Sequence, residues 1–168
     1  MGYSLYDNNR STRIYELIES YEKIDFSDFK SIKFDYKYPT PFTFNFVDVN
    51  EIMDMNPDDY LDISDLIIEI QNWDRSTSSD SLGAGIFAIF YYNLGKYIRK
   101  PYINRNLSKN LIAQMLRDVK AYMVKHFNKT NVRLGEYQKL VRGDKEIPIW
   151  GMPDVITAMT SSRHIGGK

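Results

Sequence analysis

The chain has 168 residues, 43% hydrophobic and 26% charged, which is enough apolar side chain to bury one core and too little length for two independent ones. Lys plus Arg equals Asp plus Glu at 22 each, with the basic residues spread along the chain, so nothing in the composition points to a dedicated nucleic-acid face. No cysteine is present, which removes disulfides, thiolate catalysis and cysteine-bearing zinc sites, and no apolar run approaches the roughly 20 residues that span a bilayer.

Met1 to Arg10 lacks the charged start and apolar middle of a secretory signal. The opening Met-Gly and the closing "RHIGGK" both read as cut ends. In chain order, Ile14, Leu17, Ile18 and Tyr21 fall at i, i+3, i+4 and i+7, predicting a first helix capped by Asn9 or Ser11. A shorter helix follows behind Asp25 or Ser27, with Phe29, Ile32, Lys33 and Tyr36 at helical spacing and Pro39 as its stop.

"TPFTFNFVDVNEIMDMN" reads two ways. Phe42, Phe44 and Phe46 alternate as in a strand, whereas Phe42, Phe46, Val49 and Met53 follow a helix, which Thr40 as N-cap and Pro41 at N1 favour. A fourth helix carries Leu66, Ile67, Ile70 and Trp73 on one face, with Asp62 or Ser64 near its start.

A fifth helix, Ser81 to Ile98, starts at Asp80 or Ser81 and presents Ile86, Phe87, Ile89, Phe90 and Leu94 as a broad apolar surface, so it is expected at the centre. Gly83, Ala84 and Gly85 in its first turns let another backbone approach closely. A sixth helix follows Ser108 as cap, with Leu111, Ile112, Met115, Val119, Tyr122 and Met123 as its stripe. Beyond it the period dissolves, and Gly143, Pro148, Gly151 and Pro153 punctuate what reads as an irregular tail over 127–168. The fold class is mainly α, about six packed helices in a single segment, without internal repeat.

Most conspicuous residues have plain structural readings. Trp73 is a core anchor and Asp74 holds the turn after it. "RGD" at Arg142 to Asp144 is too short to signify adhesion. His126 suits a helix C-terminus, His164 lies in the tail, and neither has a metal-ligand partner at useful spacing. "NPDDYLDISD" departs from the EF-hand pattern and reads as a solvated helix start. The 13 tyrosines suit an interaction surface or a segment excised from a larger protein.

Four stretches in order, "NNRSTRIYELIE", "FSDFKSIKFD", "QNWDRSTSSDSLGAGIFAIFYYNL" and "GEYQKLVRGDKEIPIWGMPDVITAM", resemble the penicillin amidase (penicillin acylase) family, especially its acyl-homoserine-lactone and aculeacin acylase branch. The resemblance implies a larger α/β N-terminal nucleophile hydrolase, a heterodimer made by self-cleavage, in which a new N-terminal Ser is the nucleophile and its own amine the base. It places this chain in the large (β) subunit, downstream of that Ser and of the oxyanion Asn. Ser4, in "MGYSLYDNNR", does not resemble the self-cleavage junction, so the isolated chain is expected to be inert.

The matched position that keeps a chemical role is Arg10, where the family places an active-site Arg just ahead of a helix. The partners implied are the remaining segments of the acylase precursor and a small-molecule acyl amide, with no nucleic acid and no membrane. The resemblance implies no cofactor in this segment, a structural calcium in some parents without ligands here, and export of the parent. An alternative from another class is a stand-alone helical protein-protein interaction module.

Overall fold

The computed structural model describes residues 8–42, 47–48, 50–97 and 105–156. Helix α1 is Asn9–Glu19 and α2 is Phe26–Lys33. A two-residue strand β1, Val47–Asp48, precedes 3-10 turns at Asn50–Asp54 and Pro57–Asp59. Helices α3, Ser64–Gln71, and α4, Leu82–Tyr97, follow. Strand β2, Arg105–Asn106, then leads to α5, Lys109–Phe127, and a one-turn α6, Leu134–Tyr137. Strands β3, Lys139–Arg142, and β4, Lys145–Pro148, form an antiparallel hairpin, and β1 pairs in parallel with β2.

Helix α4 is the centre, packed against α3, α5 and α6. Ala84 and every residue from Ile86 to Phe90 are buried, so the helix is apolar all round in this stretch rather than striped. Its small residues are what admit the neighbours. A Cβ on Gly83 would run into the Trp73 side chain. A Cβ on Gly85 would meet the Val132 carbonyl and lie 2.9 Å from the Arg133 carbonyl carbon, all of it backbone that cannot swing aside. The crossing chain is pinned there, Leu134 N–H donating to Ser81 O at 3.0 Å and Gly135 N–H to Ser79 O at 2.7 Å.

An aromatic cluster fills the space between α4 and the segments ahead of it. Phe87 lies 5.3 Å from both Phe42 and Trp73, centroid to centroid, and Tyr38 lies 5.6 Å from Phe42. Trp73 is the anchor its composition suggests, its indole N–H donating to Ser76 O at 2.8 Å while Asp74 Oδ1 accepts from Ser76 N–H at 2.9 Å. On α5, Ile112, Met115, Val119 and Met123 are buried as the spacing predicts, whereas Leu111 and Tyr122 are half-buried. Ser108 caps α5, and Asn128 ends it in the left-handed region at φ 56°.

Several boundaries differ from the periodic reading. The cap of α1 is Asn8, with Ser11 as the reciprocal partner three residues on, because a cap must precede the first helical residue and Asn9 already is one. Asp25 caps α2 with Asp28 in return, while Ser27 lies inside the helix. For α3, Ser64 is the first helical residue and Ile63 precedes it without a side-chain cap; Asp62 is taken by Arg117 instead. Ser81 hydroxyl accepts from Ala84 N–H at 3.1 Å at the start of α4.

Among the described residues of the predicted helix from Thr40 through Met53, none is α-helical. The Thr40–Pro41 peptide is cis, and Phe42 is buried in the aromatic cluster with its carbonyl accepting from Asn50 Nδ2 at 2.9 Å. Met53 lies on a 3-10 turn. At Phe42 burial of the ring in a tertiary cluster wins over the local helical propensity. Phe44, Phe46, Val49, Ile98 and His164 lie outside the described residues. Of the tail predicted as irregular, the described part, 129–156, contains α6 and the β3–β4 hairpin, and 157–168 lie outside the described residues; the hairpin's strands are exposed on both faces, so they carry no apolar alternation to read.

Candidate functional site

The first helical turn of α1 leaves backbone N–H groups without intrahelical partners, and the sequence supplies two acceptors for them. Asn8 Oδ1 takes the Ser11 N–H at 2.9 Å. Asp154, distant in sequence, takes the Asn9 N–H through Oδ2 at 3.0 Å. Arg10 follows at the second helical position, and its Nε donates to the Val155 carbonyl at 3.1 Å. Among the described residues no partner takes its terminal Nη groups, and the residue is exposed.

Loop 151–155, which receives α1, is itself held from three directions. Gly151 N–H donates to Thr77 O at 2.9 Å, and Gly151 O accepts from Gln138 Nε2 at 2.9 Å. Tyr38 hydroxyl donates to Pro153 O at 2.8 Å. Burial pushes the Tyr38 phenol well above its ordinary value, so it remains a protonated donor across the neutral range. Met152 and Val155 are buried, and Asp154 sits in the left-handed region at φ 68°. Of the residues that bond this loop, Asn9, Arg10, Thr77 and Gln138 come from three of the four stretches quoted above, and Tyr38 lies outside them.

Arg13, one turn further along α1, has a different environment. Nε and Nη2 donate to the two oxygens of Asp35 at 3.1 and 2.9 Å, and Nη1 to Glu16 at 3.0 Å. That bidentate hydrogen bonding to Asp35 raises the guanidinium pKa, and with the Glu16 bond it engages all three nitrogens. Arg13 fastens α1 to the segment after α2. Arg10 has a fixed stem and a free fork, the arrangement that can present two parallel donors to a carbonyl oxygen, an amide or a carboxylate.

The remaining sequence candidates are absorbed by the fold. Arg142 ends β3, while Gly143, at φ 62°, and Asp144 form the hairpin turn, so "RGD" is turn chemistry. His126 stacks on Tyr122 at 4.3 Å between centroids. From the acidic stretch, Asp62 pairs with Arg117 at 2.6 Å and Asp65 with Lys120 at 2.9 Å; Asp62, Arg117 and Lys120 line an open groove between α5 and the residues just ahead of α3. Among the described residues no group of three or more His, Asp or Glu is placed to hold a metal ion, and no helix is long and apolar enough to cross a membrane.

The family model for penicillin amidase matches residues 1–158, which takes in both sides of the Arg10 junction. The chain belongs to the penicillin amidase family. Among curated proteins, none matches the chain. The family match and the helical architecture agree, since the segment it covers contains all six α-helices described above. Sequence reasoning missed Tyr38, Asp154 and Val155 as parts of the Arg10 junction. "GMPDV" stood inside a stretch already singled out, but nothing local tells that its carboxylate and carbonyl reach a helix start more than 140 positions away.

Proposed function

We propose that this chain is a helical segment of the large subunit of an acylase that hydrolyses N-acyl amides, in the acyl-homoserine-lactone and aculeacin acylase branch of the penicillin amidase family. In that reading the nucleophile is an N-terminal Ser outside the segment. Its hydroxyl adds to the amide carbonyl while its own amine takes the proton, the tetrahedral intermediate expels the amine, and water hydrolyses the acyl-enzyme to a carboxylic acid. Negative charge collects on the former carbonyl oxygen, and the supporting residue this chain supplies is Arg10.

The observation that carries the reading is the tethered Nε of Arg10 beside a free Nη pair. A guanidinium held at its stem loses little freedom when its fork engages, so it can orient an oxyanion Asn or stabilise the developing charge directly. The remaining partners are the other segments of the acylase and the acyl amide itself. A structural calcium and export belong to the parent in this reading, with no ligand from this segment.

The test is turnover of an acylase polypeptide carrying this segment. Arg10→Lys is expected to lower kcat by on the order of 10² to 10³, because an ammonium reproduces neither the tether nor the planar fork. Arg13→Lys serves as the control. Near-native, equal turnover of both variants with unchanged melting removes the role. The isolated chain is expected to leave chromogenic acyl anilides intact, and turnover that survives repurification would contradict an external nucleophile.

A second reading, a stand-alone interaction module, is favoured by the exposed apolar side chains of α1 and α2, Tyr15, Phe26 and Phe29 among them. In the acylase reading the same face packs on the rest of the parent. The reading frame around the segment separates them: a Ser-bearing cleavage junction with an oxyanion Asn upstream supports the acylase.

A further inference from the structure

Three successive residues of the loop each accept one hydrogen bond from a different partner. Pro153 O accepts from the Tyr38 hydroxyl at 2.8 Å, Asp154 Oδ2 from Asn9 N–H at 3.0 Å, and Val155 O from Arg10 Nε at 3.1 Å. The middle one is a carboxylate on a residue at φ 68°, a conformation that L residues other than Asn and Asp seldom adopt outside glycine. Turning the backbone there lets the side chain of Asp154 and the carbonyl of the next residue reach adjacent positions of one helix start. Asn9 is almost wholly buried at this contact, and Val155 is buried beside it.

We propose that Asp154 is a positioning residue for Arg10: it fastens the first turn of α1 to the loop and thereby holds the Arg10 stem against Val155 O with its fork free. The proposal rests on the functional reading of Arg10 given above. The physical logic is one of leverage. A single Nε–H···O=C bond to a flexible arginine leaves the helix start free to shift, whereas a second, charge-assisted bond one residue earlier fixes the Cα from which that arginine extends. A carboxylate at a helix N-terminus is further favoured by the macrodipole, so the contact has a definite sign. Tyr38, buried and protonated, keeps the loop from retreating.

Two substitutions separate backbone from side chain. Asp154→Gly keeps the left-handed backbone at no steric cost and removes only the carboxylate. Asp154→Asn keeps both the tolerated backbone and an acceptor oxygen. In the 168-residue chain with 15N-labelled arginine, exchange of the Arg10 ε N–H with solvent is followed by NMR. Exchange is expected to quicken on the order of tenfold in Asp154→Gly, the factor that loss of one charge-assisted hydrogen bond corresponds to, and to return most of the way to the parent value in Asp154→Asn. The Arg13 ε N–H, held by Asp35, is expected to stay unchanged in both.

An acylase carrying the segment supplies the functional arm. Asp154→Gly is expected to lower kcat in the direction of Arg10→Lys while leaving KM and melting near the parent values, with Asp154→Asn rescuing kcat. Unchanged Arg10 exchange in Asp154→Gly overturns the proposal. So does an acylase in which Arg10→Lys lowers kcat and Asp154→Gly does not. If neither variant lowers kcat, the role of Arg10 itself falls, a result distinguishable because the exchange arm then still shows the tether.

Discussion

Helices α4 and α2 are both announced by apolar residues at helical spacing, yet they meet opposite fates. Phe87 on α4 is 0% exposed, in ring contact with Tyr38, Phe42, Trp73 and Phe90, whereas Phe26 and Phe29 on α2 are 82% and 58% exposed. Their supports differ accordingly. Helix α4 is stabilised by burial on all sides over its first half, 83–90, α2 by a capping box in which Asp25 and Asp28 bond each other's backbone N–H at 2.8 and 3.1 Å. A period in the sequence states that a helix forms; whether its apolar face finds a cover is decided by what else the molecule brings to it.

The contrast can be broken most severely from the α4 side. Phe87→Ala is expected to destabilise by about 3–5 kcal/mol, since it deletes the ring on which the aromatic cluster converges and leaves a cavity among the rings of Tyr38, Phe42 and Trp73. Denaturant melts measure it. Leu94→Ala, near the far end of the same helix, is expected to cost about 2–5 kcal/mol, its residual exposure placing it toward the lower end. A loss below about 0.5 kcal/mol at Leu94 would mean that α4 is not enclosed along its length.

Smaller effects sharpen the other side. Asn8→Ala is expected to cost about 1 kcal/mol, because the Ser11 N–H loses its acceptor, and to raise hydrogen exchange at Ser11 before any global change. Phe29→Ala is expected to stay within about 0.5 kcal/mol, as for a surface site. A cost at Phe29 comparable with that at Leu94 would show that the α2 face is covered in solution, by a second copy or by part of the chain outside the described residues. Sedimentation at several concentrations distinguishes these.

Helix existence was legible from the period alone: α1 to α5 each stand where the spacing places a helix, with buried apolar faces behind α3, α4 and α5 and largely half-buried or exposed ones on α1 and α2. The reading failed at Phe42, where a period consistent with a helix belonged to a ring inserted into a tertiary cluster, and at 139–148, where an exposed hairpin carries no alternation. Gly83 and Gly85 were read correctly as points of close approach, because the absence of a side chain is itself a local statement. That the approaching groups are the Trp73 ring and the Val132 backbone was not local and could not be read.

By itself, then, the sequence determined the helical class, the central helix, most caps within a residue or so, and membership of the penicillin amidase family, the part of the resemblance that the match over residues 1–158 shows. These follow from interactions between positions three or four apart, or from patterns of residue type along the chain. Only the tertiary structure decided that, among the described residues, no partner takes the Arg10 fork while Arg13 is spent on Asp35, and that Asp154 and Val155 meet Arg10's helix start from a loop that Tyr38 holds. The physical reason is that a hydrogen bond between residues 10 and 155 depends on angles accumulated through every intervening turn, and no short-range pattern records where such a path closes.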